Sequence, residues 1–224
     1  MFGKNPKRPP VNSDGRTLDV QEIFTTIQGE GPNTGTPSVF LRLGGCNLAC
    51  EFCDTEFESF AGHACDDVIN EVKRLALNSV GKKVVELVVI TGGEPFRQNI
   101  EYLCEKLIAE GFKVQIETNG TLYRPVAKEV EIICSPKNTN GYAIIREDLL
   151  ERVNAFKFII SAHDDKYKTV AEVGQSKFNT PVYIQPMDEY NEIKNKENLE
   201  LVKKLAMDNG YRISLQTHKI IGVA

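Results

Sequence analysis

Short β-branched and apolar runs alternate with stretches of helically spaced apolar residues from Val39 onward. Ser38 to Leu43, Val84 to Ile90, Lys113 to Glu117, Glu131 to Cys134, Phe156 to Ile160, Val182 to Gln185 and Arg212 to Leu215 read as strands. Between them, Asp66 to Asn78, Arg97 to Glu110, Asp164 to Val173 and Asn195 to Asp208 carry helical spacing, with Gly111 and Gly210 as helix-ending caps. The alternation predicts βα units on a parallel sheet. Runs as continuously apolar as Leu87-Val88-Val89-Ile90 need cover on both faces, so the expected class is α/β, a closed or partly open barrel.

In such a fold ligands collect where the strands end and the βα loops converge. The cysteine-rich loop after Leu43, Thr91-Gly92-Gly93-Glu94-Pro95 after Ile90, Thr118-Asn119-Gly120 after Glu117, Ser135-Pro136-Lys137 after Cys134 and Pro186-Met187-Asp188 after Gln185 all fall on that rim. Residues 1–17, rich in Pro, Lys, Asn and Gly without periodicity, are expected as a flexible arm or a strap. Residues 18–224 are expected as a single domain, because no linker divides them.

Composition narrows the function. The chain has 31 acidic and 27 basic residues, a formal charge of −4, which offers no broad basic field for nucleic acid. No apolar stretch is long enough to span a bilayer and the start lacks a secretory apolar segment, so a cytoplasmic protein acting on a small ligand is expected. Six cysteines in such a chain point to thiols or metal ligation rather than a disulfide framework. Cys104 and Cys134 lie in apolar patterns and read as core, while Cys65 is ambiguous and a possible fourth ligand.

Cys46, Cys50 and Cys53 stand at Cys-x3-Cys-x2-Cys spacing, and three close thiolates can hold three irons of an iron–sulfur cube. The fourth iron is then open to a chelating ligand such as S-adenosylmethionine. The other readings are a zinc site completed by His63, or buried thiols with no ligand. Gly92 and Gly93 allow a ligand close to the backbone, and Glu94-Pro95 fixes the turn. Thr55, beside Asp54, offers a hydroxyl to Mg²⁺, or else caps the following turn. Gln28 can read a lactam edge and Arg42 can clamp a carboxylate. Glu117, ending a buried strand, is expected to face the rim and bind a guanidine-type edge or a ribose, or to pair with a lysine or arginine. His218 is a candidate proton donor or a structural group.

The cysteine spacing is similar to that of radical S-adenosylmethionine enzymes. Together with Gln28-Gly29-Glu30-Gly31, Phe40-Leu41-Arg42, Cys53-Asp54-Thr55, Gly92-Gly93-Glu94-Pro95, Glu117-Thr118-Asn119-Gly120, Ser135-Pro136-Lys137, Gln185-Pro186-Met187-Asp188 and Leu215-Gln216-Thr217-His218-Lys219, the chain from about Val20 onward closely resembles the 7-carboxy-7-deazaguanine synthase family. The resemblance implies a partial TIM-like (β/α) barrel of the radical S-adenosylmethionine type. It implies a lyase that contracts 6-carboxy-5,6,7,8-tetrahydropterin to 7-carboxy-7-deazaguanine with loss of ammonia, on the route to queuosine. The implied cofactors are a [4Fe-4S] cluster, S-adenosylmethionine and Mg²⁺.

Carried over by position, Cys46, Cys50 and Cys53 hold the cluster and Thr55 the Mg²⁺. Ile27, Gln28, Gly29, Arg42, Thr91, Glu117 and the carboxylate of Ala224 contact substrate. Phe52, Cys53, Asp54, Gly93, Ser135, Pro136, Lys137, Gln185, Pro186, Met187 and Asp188 line S-adenosylmethionine. A homodimer and an electron donor such as a flavodoxin are also implied. The rivals are an activase for a glycyl-radical enzyme, which needs a protein substrate, and a non-catalytic zinc or redox-sensing module.

Overall fold

The computed structural model describes residues 5–223. Its elements in chain order are β1 (Thr17–Ile27), β2 (Pro37–Leu43), β3 (Ala61–Ala64), α1 (Cys65–Leu75), β4 (Leu87–Gly92), α2 (Glu101–Ala109), β5 (Lys113–Thr118), β6 (Glu131–Cys134), α3 (Glu147–Leu150), β7 (Val153–Ile160), β8 (Val182–Pro186), α4 (Glu192–Asn209), β9 (Arg212–Ile213) and α5 (Thr217–Ile221). The strands form one sheet in the order β3-β1-β2-β4-β5-β6-β7-β8-β9. From β2 to β9 every neighbouring pair is parallel, whereas β1 runs antiparallel to β2 and β3. This is the α/β class and the open parallel barrel expected.

Burial explains which elements form. In β4 the first four residues, Leu87 to Ile90, are all buried, because helices cover one face and the barrel interior lies on the other. Helix α1 buries Val68, Ile69 and Val72, and α2 buries Leu103, Cys104 and Leu107, each as one stripe against the sheet. Cys104 and Cys134 are core residues. Gly210 ends α4 at φ 73°, a left-handed conformation that glycine adopts without strain.

Three expectations are corrected. The 11-residue strand β1 and the short β3 were not expected, since β1 reads Thr-Leu-Asp-Val-Gln-Glu-Ile-Phe-Thr-Thr-Ile and is half-exposed over most of its length. The stretch from Asp164 to Val173 is not an α-helix but a single 3-10 turn, Asp165–Tyr167. There the Asp164 side chain accepts the Lys166 N–H, and buried Tyr167 draws the chain inward, its hydroxyl accepting the Asn138 N–H and donating to Asn138 O. Helix α2 starts at Glu101 rather than Arg97, whose guanidinium is held by Gly44 O and Asp19.

The amino-terminal stretch lies against the rim over residues 5–16. Arg8 N donates to Cys46 O at 2.7 Å, Val11 N to Arg97 O at 2.7 Å, and Asn5 Nδ2 to Thr55 O at 3.1 Å. Among the described residues no helix is long and apolar enough to cross a membrane.

Candidate active site

Leu43 ends β2 and delivers the chain into the cysteine loop at the carboxyl rim of the sheet. The loop is held by the neighbouring glycine turn: Gly93 N donates to Leu43 O at 3.2 Å and Glu94 N to Gly45 O at 3.0 Å. A Cβ on Gly93 would come within 2.0 Å of Gly45 O, so only glycine permits this approach.

The thiols of Cys46, Cys50 and Cys53 are unpaired and line one cavity of about 390 Å³, a size suited to small ligands. Burial pushes the Cys46 thiol up to about 12, against the opposing Leu48 N–H, and also raises Cys50 and Cys53. A bound metal would reverse that by stabilising the thiolates.

These residues fit an iron–sulfur cluster. Leu48 N and Asn119 Nδ2 both point at the Cys46 sulfur, at 3.4 and 3.8 Å, and donors to sulfur suit a thiolate ligand. His63 lies exposed on the edge strand β3, and Cys65 is buried at the start of α1; neither lines the cavity. The structure thus brings no fourth protein ligand from either to the thiols.

Glu94 ties two loops together. It is fully buried, and its Oε1 accepts Phe96 N at 3.0 Å and Thr118 Oγ1 at 2.8 Å, while Oε2 accepts Asn119 N at 2.8 Å. Burial raises its pKa to about 7 in spite of those bonds.

Across the cavity, Glu117 Oε2 accepts Lys157 Nζ at 2.8 Å, and its Oε1 accepts Gln115 Nε2 at 2.7 Å and Gln28 Nε2 at 3.5 Å. Glu117 is therefore lysine-paired and cavity-lining at once. Burial pushes its carboxyl up, opposed by Lys157. Lys157 Nζ also donates to Glu30 Oε2 at 2.5 Å. There burial is outweighed by Lys157, and Glu30 falls to about 2.

Arg42 and Thr91 stand opposite one another in the β2–β4 register, and both line the cavity. The Arg42 Nε donates to Glu22 Oε1 at 2.6 Å, which orients the guanidinium. Thr55 Oγ1 donates to Asp54 Oδ1 at 3.2 Å, placing two oxygens together at the wall. Phe52 packs edge-on to Tyr167 at 5.1 Å. Lys219, in α5, pairs with Asp188 at 2.8 Å and Asp54 at 3.5 Å and so closes one side.

Of the expected substrate contacts, Ile27, Gln28, Arg42, Thr91 and Glu117 line the cavity. So do Phe52, Cys53, Asp54, Gly93, Ser135, Lys137, Gln185, Pro186, Met187 and Asp188, together with Thr55. Gly29 and Pro136 do not. Gly29 instead packs under His218, where a Cβ would meet Nδ1 at 2.0 Å. Ala224 lies outside the described residues.

Lys157 was missed in the sequence, and Glu30, Gln216 and Lys219 were seen only as members of motifs with no role of their own; all four are on the cavity wall. A lone lysine in the buried run Val153–Ile160 was the signal for Lys157. His218 lines the cavity as well, and burial lowers its pKa.

Comparison with known proteins agrees with this geometry. A profile of the Radical SAM superfamily matches residues 41–140, the span from β2 through the loop after β6. A 7-carboxy-7-deazaguanine synthase of Rickettsia prowazekii is 58% identical over 224 residues, covering 100% of this chain and 96% of that protein. One from Rhodospirillum rubrum is 38% identical over the full length of both. The crystal structure of QueE from Escherichia coli superposes with a TM-score of 0.68 at 25% identity, covering 89% of this chain and 93% of that one. Three thiols on the rim of an open parallel barrel, in a chain with these relatives, place the protein in the 7-carboxy-7-deazaguanine synthase family of the radical S-adenosylmethionine superfamily.

Proposed function

We propose that the protein converts 6-carboxy-5,6,7,8-tetrahydropterin to 7-carboxy-7-deazaguanine with loss of ammonia, in queuosine biosynthesis, and depends on Mg²⁺. One observation supports this above the others: the three thiols and the polar group Gln28, Arg42, Thr91 and Glu117 line the same cavity. Family membership implies a [4Fe-4S] cluster on Cys46, Cys50 and Cys53, with S-adenosylmethionine beside it. When bound, the cluster supplies the electron for reductive cleavage of S-adenosylmethionine.

The chain's own residues bind and orient. Arg42, fixed through Nε by Glu22, offers charge to the substrate carboxylate, and Thr91 faces the same side. Gln28 and Glu117 offer an amide and a carboxylate to the ring's donor and acceptor edge. Thr55 supplies a hydroxyl oxygen for Mg²⁺, a cation that keeps several waters and bridges to anionic ligands. Gly93, Ser135, Lys137 and the run Gln185 to Asp188 form the wall assigned to S-adenosylmethionine, and Gly29, on the substrate side, packs under His218. Ala224 remains a proposed substrate contact.

A cytoplasmic homodimer that receives electrons from a flavodoxin-like donor completes the reading. Exposed Ile213, Ile220 and Ile221 near the carboxyl end are the kind of surface that a second copy covers. The test is whether the reconstituted, reduced protein cleaves S-adenosylmethionine only when the carboxypterin is present. Gated cleavage supports the reading. Cleavage that instead needs a protein substrate overturns it in favour of an activase.

A further inference from the structure

In β7, Val153-Asn154-Ala155-Phe156-Lys157-Phe158-Ile159-Ile160, Lys157 is a cation among buried apolar neighbours, with 8% of its side chain exposed. Its amine bonds Glu30 Oε2 and Glu117 Oε2 at 2.5 and 2.8 Å, and all three residues line the cavity. A lysine buried this far stays charged because anions face it, and the cation between the two carboxylates opposes the burial that disfavours the charge on each.

The carboxylates are held differently. Glu30 Oε1 accepts Gln185 Nε2 at 3.1 Å and Gln216 Nε2 at 2.9 Å, so donors from β7, β8 and the loop before α5 fix it in the wall. Glu117 Oε1 accepts Gln115, whose own amide is oriented by Asn33 Nδ2 donating to Gln115 Oε1 at 2.6 Å. The other titratable groups that act on the trio are Lys137 after β6, Cys134 at the end of β6 and His218 in α5. Every direct bond to Glu117 described above comes from a donor, an arrangement that suits a carboxylate.

We propose that Lys157 is a positioning residue for the reaction: by pairing with both Glu30 and Glu117, it holds Glu117 as a carboxylate aimed at the donor edge of the bound ring. The identity of that ring rests on the pterin reading above; the ionisation of the trio does not.

The test uses the full chain with its cluster reconstituted and compares Lys157→Met, Lys157→Arg and the double variant Lys157→Met with Glu30→Gln. Infrared difference spectra across pH read the ionisation directly. Beside the band of Glu94, whose pKa burial raises to about 7 in every variant, K157M is expected to show one further protonated carboxyl at neutral pH, and K157R, which keeps the cation, to lose it. In turnover, K157M should raise KM for the carboxypterin roughly tenfold or more and move the acid limb of the pH profile upward. KM for S-adenosylmethionine should stay within about twofold. K157R should recover most of the loss, and the double variant only part, because Glu117 is then free of Glu30 but still lacks its cation.

A merely structural lysine would lower stability without separating the two KM values or adding the infrared band. A folded, cluster-bearing K157M with the parent's spectrum and pH profile overturns the inference. If K157M does not fold, a folded double variant supports charge sharing, and failure of both overturns it. If the new band appears while the parent does not turn over the carboxypterin, the role of Lys157 in ionisation stands and the substrate reading falls.

Discussion

Glu94 accepts the backbone N–H of Asn119 at 2.8 Å, which locks the glycine turn after β4 to the loop after β5. Asn119 in turn reaches the Cys46 sulfur and donates to Asn47 Oδ1 at 3.0 Å, so one buried carboxylate sets the frame of the cysteine loop. Glu94→Ala leaves Phe96 N, Asn119 N and the Thr118 hydroxyl without their acceptor. Each stranded buried donor costs about 1–3 kcal/mol. Urea unfolding of the cluster-free protein should show a loss of roughly 3 kcal/mol or more; a loss below about 0.5 kcal/mol would show that the loops do not depend on Glu94.

Glu30 makes the fold acid-sensitive in a defined window. Its carboxyl lies at about 2 in the folded protein against an ordinary 4.5, because Lys157 outweighs burial. A depressed carboxyl stabilises the fold fully above its unfolded value, and that contribution is lost as pH falls through 4.5 toward 2. The most it can supply is about 3 kcal/mol, at 1.36 kcal/mol per unit. Glu30→Gln should flatten the dependence of unfolding free energy on pH across that range relative to the parent. Parallel curves would mean that Glu30 is not held ionised.

Thr55→Ala removes the hydroxyl proposed for Mg²⁺ but leaves all three thiols. Turnover should need far more Mg²⁺, while iron and sulfide content stay at the parent level. An unchanged Mg²⁺ titration would remove Thr55 from the metal site.

Arg42→Ala should weaken the carboxypterin far more than S-adenosylmethionine. A buried carboxylate that loses its cation costs on the order of 3–5 kcal/mol, roughly a hundredfold or more in KM. Arg42→Lys should recover only part, because one ammonium cannot hold Glu22 and also present a fork to the substrate. Equal effects on both ligands would contradict the assignment.

The sequence showed the central strands, since β4, β6, β7 and β8 carry apolar runs and β5 alternates Val114 and Ile116 with polar residues. It hid β1, whose half-exposed residues are largely polar and whose place is set by pairing with β2 and β3. It misled at Tyr167, Val170 and Val173, where apolar residues pack on the core from a loop rather than a helix. The rim motifs were legible because each is a local string at a strand end. The Lys157–Glu30 contact was not, because the partners are 127 residues apart and only the folded sheet brings them together.

The direct measurement of the reaction is mass spectrometry of an anaerobic mixture of the reconstituted, reduced protein with Mg²⁺, S-adenosylmethionine and 6-carboxytetrahydropterin. The expected result is 7-carboxy-7-deazaguanine over many turnovers with little free deoxyadenosine, and none from a Cys53→Ala control. Deoxyadenosine without the deazaguanine would contradict the substrate, and neither product from a protein with an intact cluster would contradict the activity.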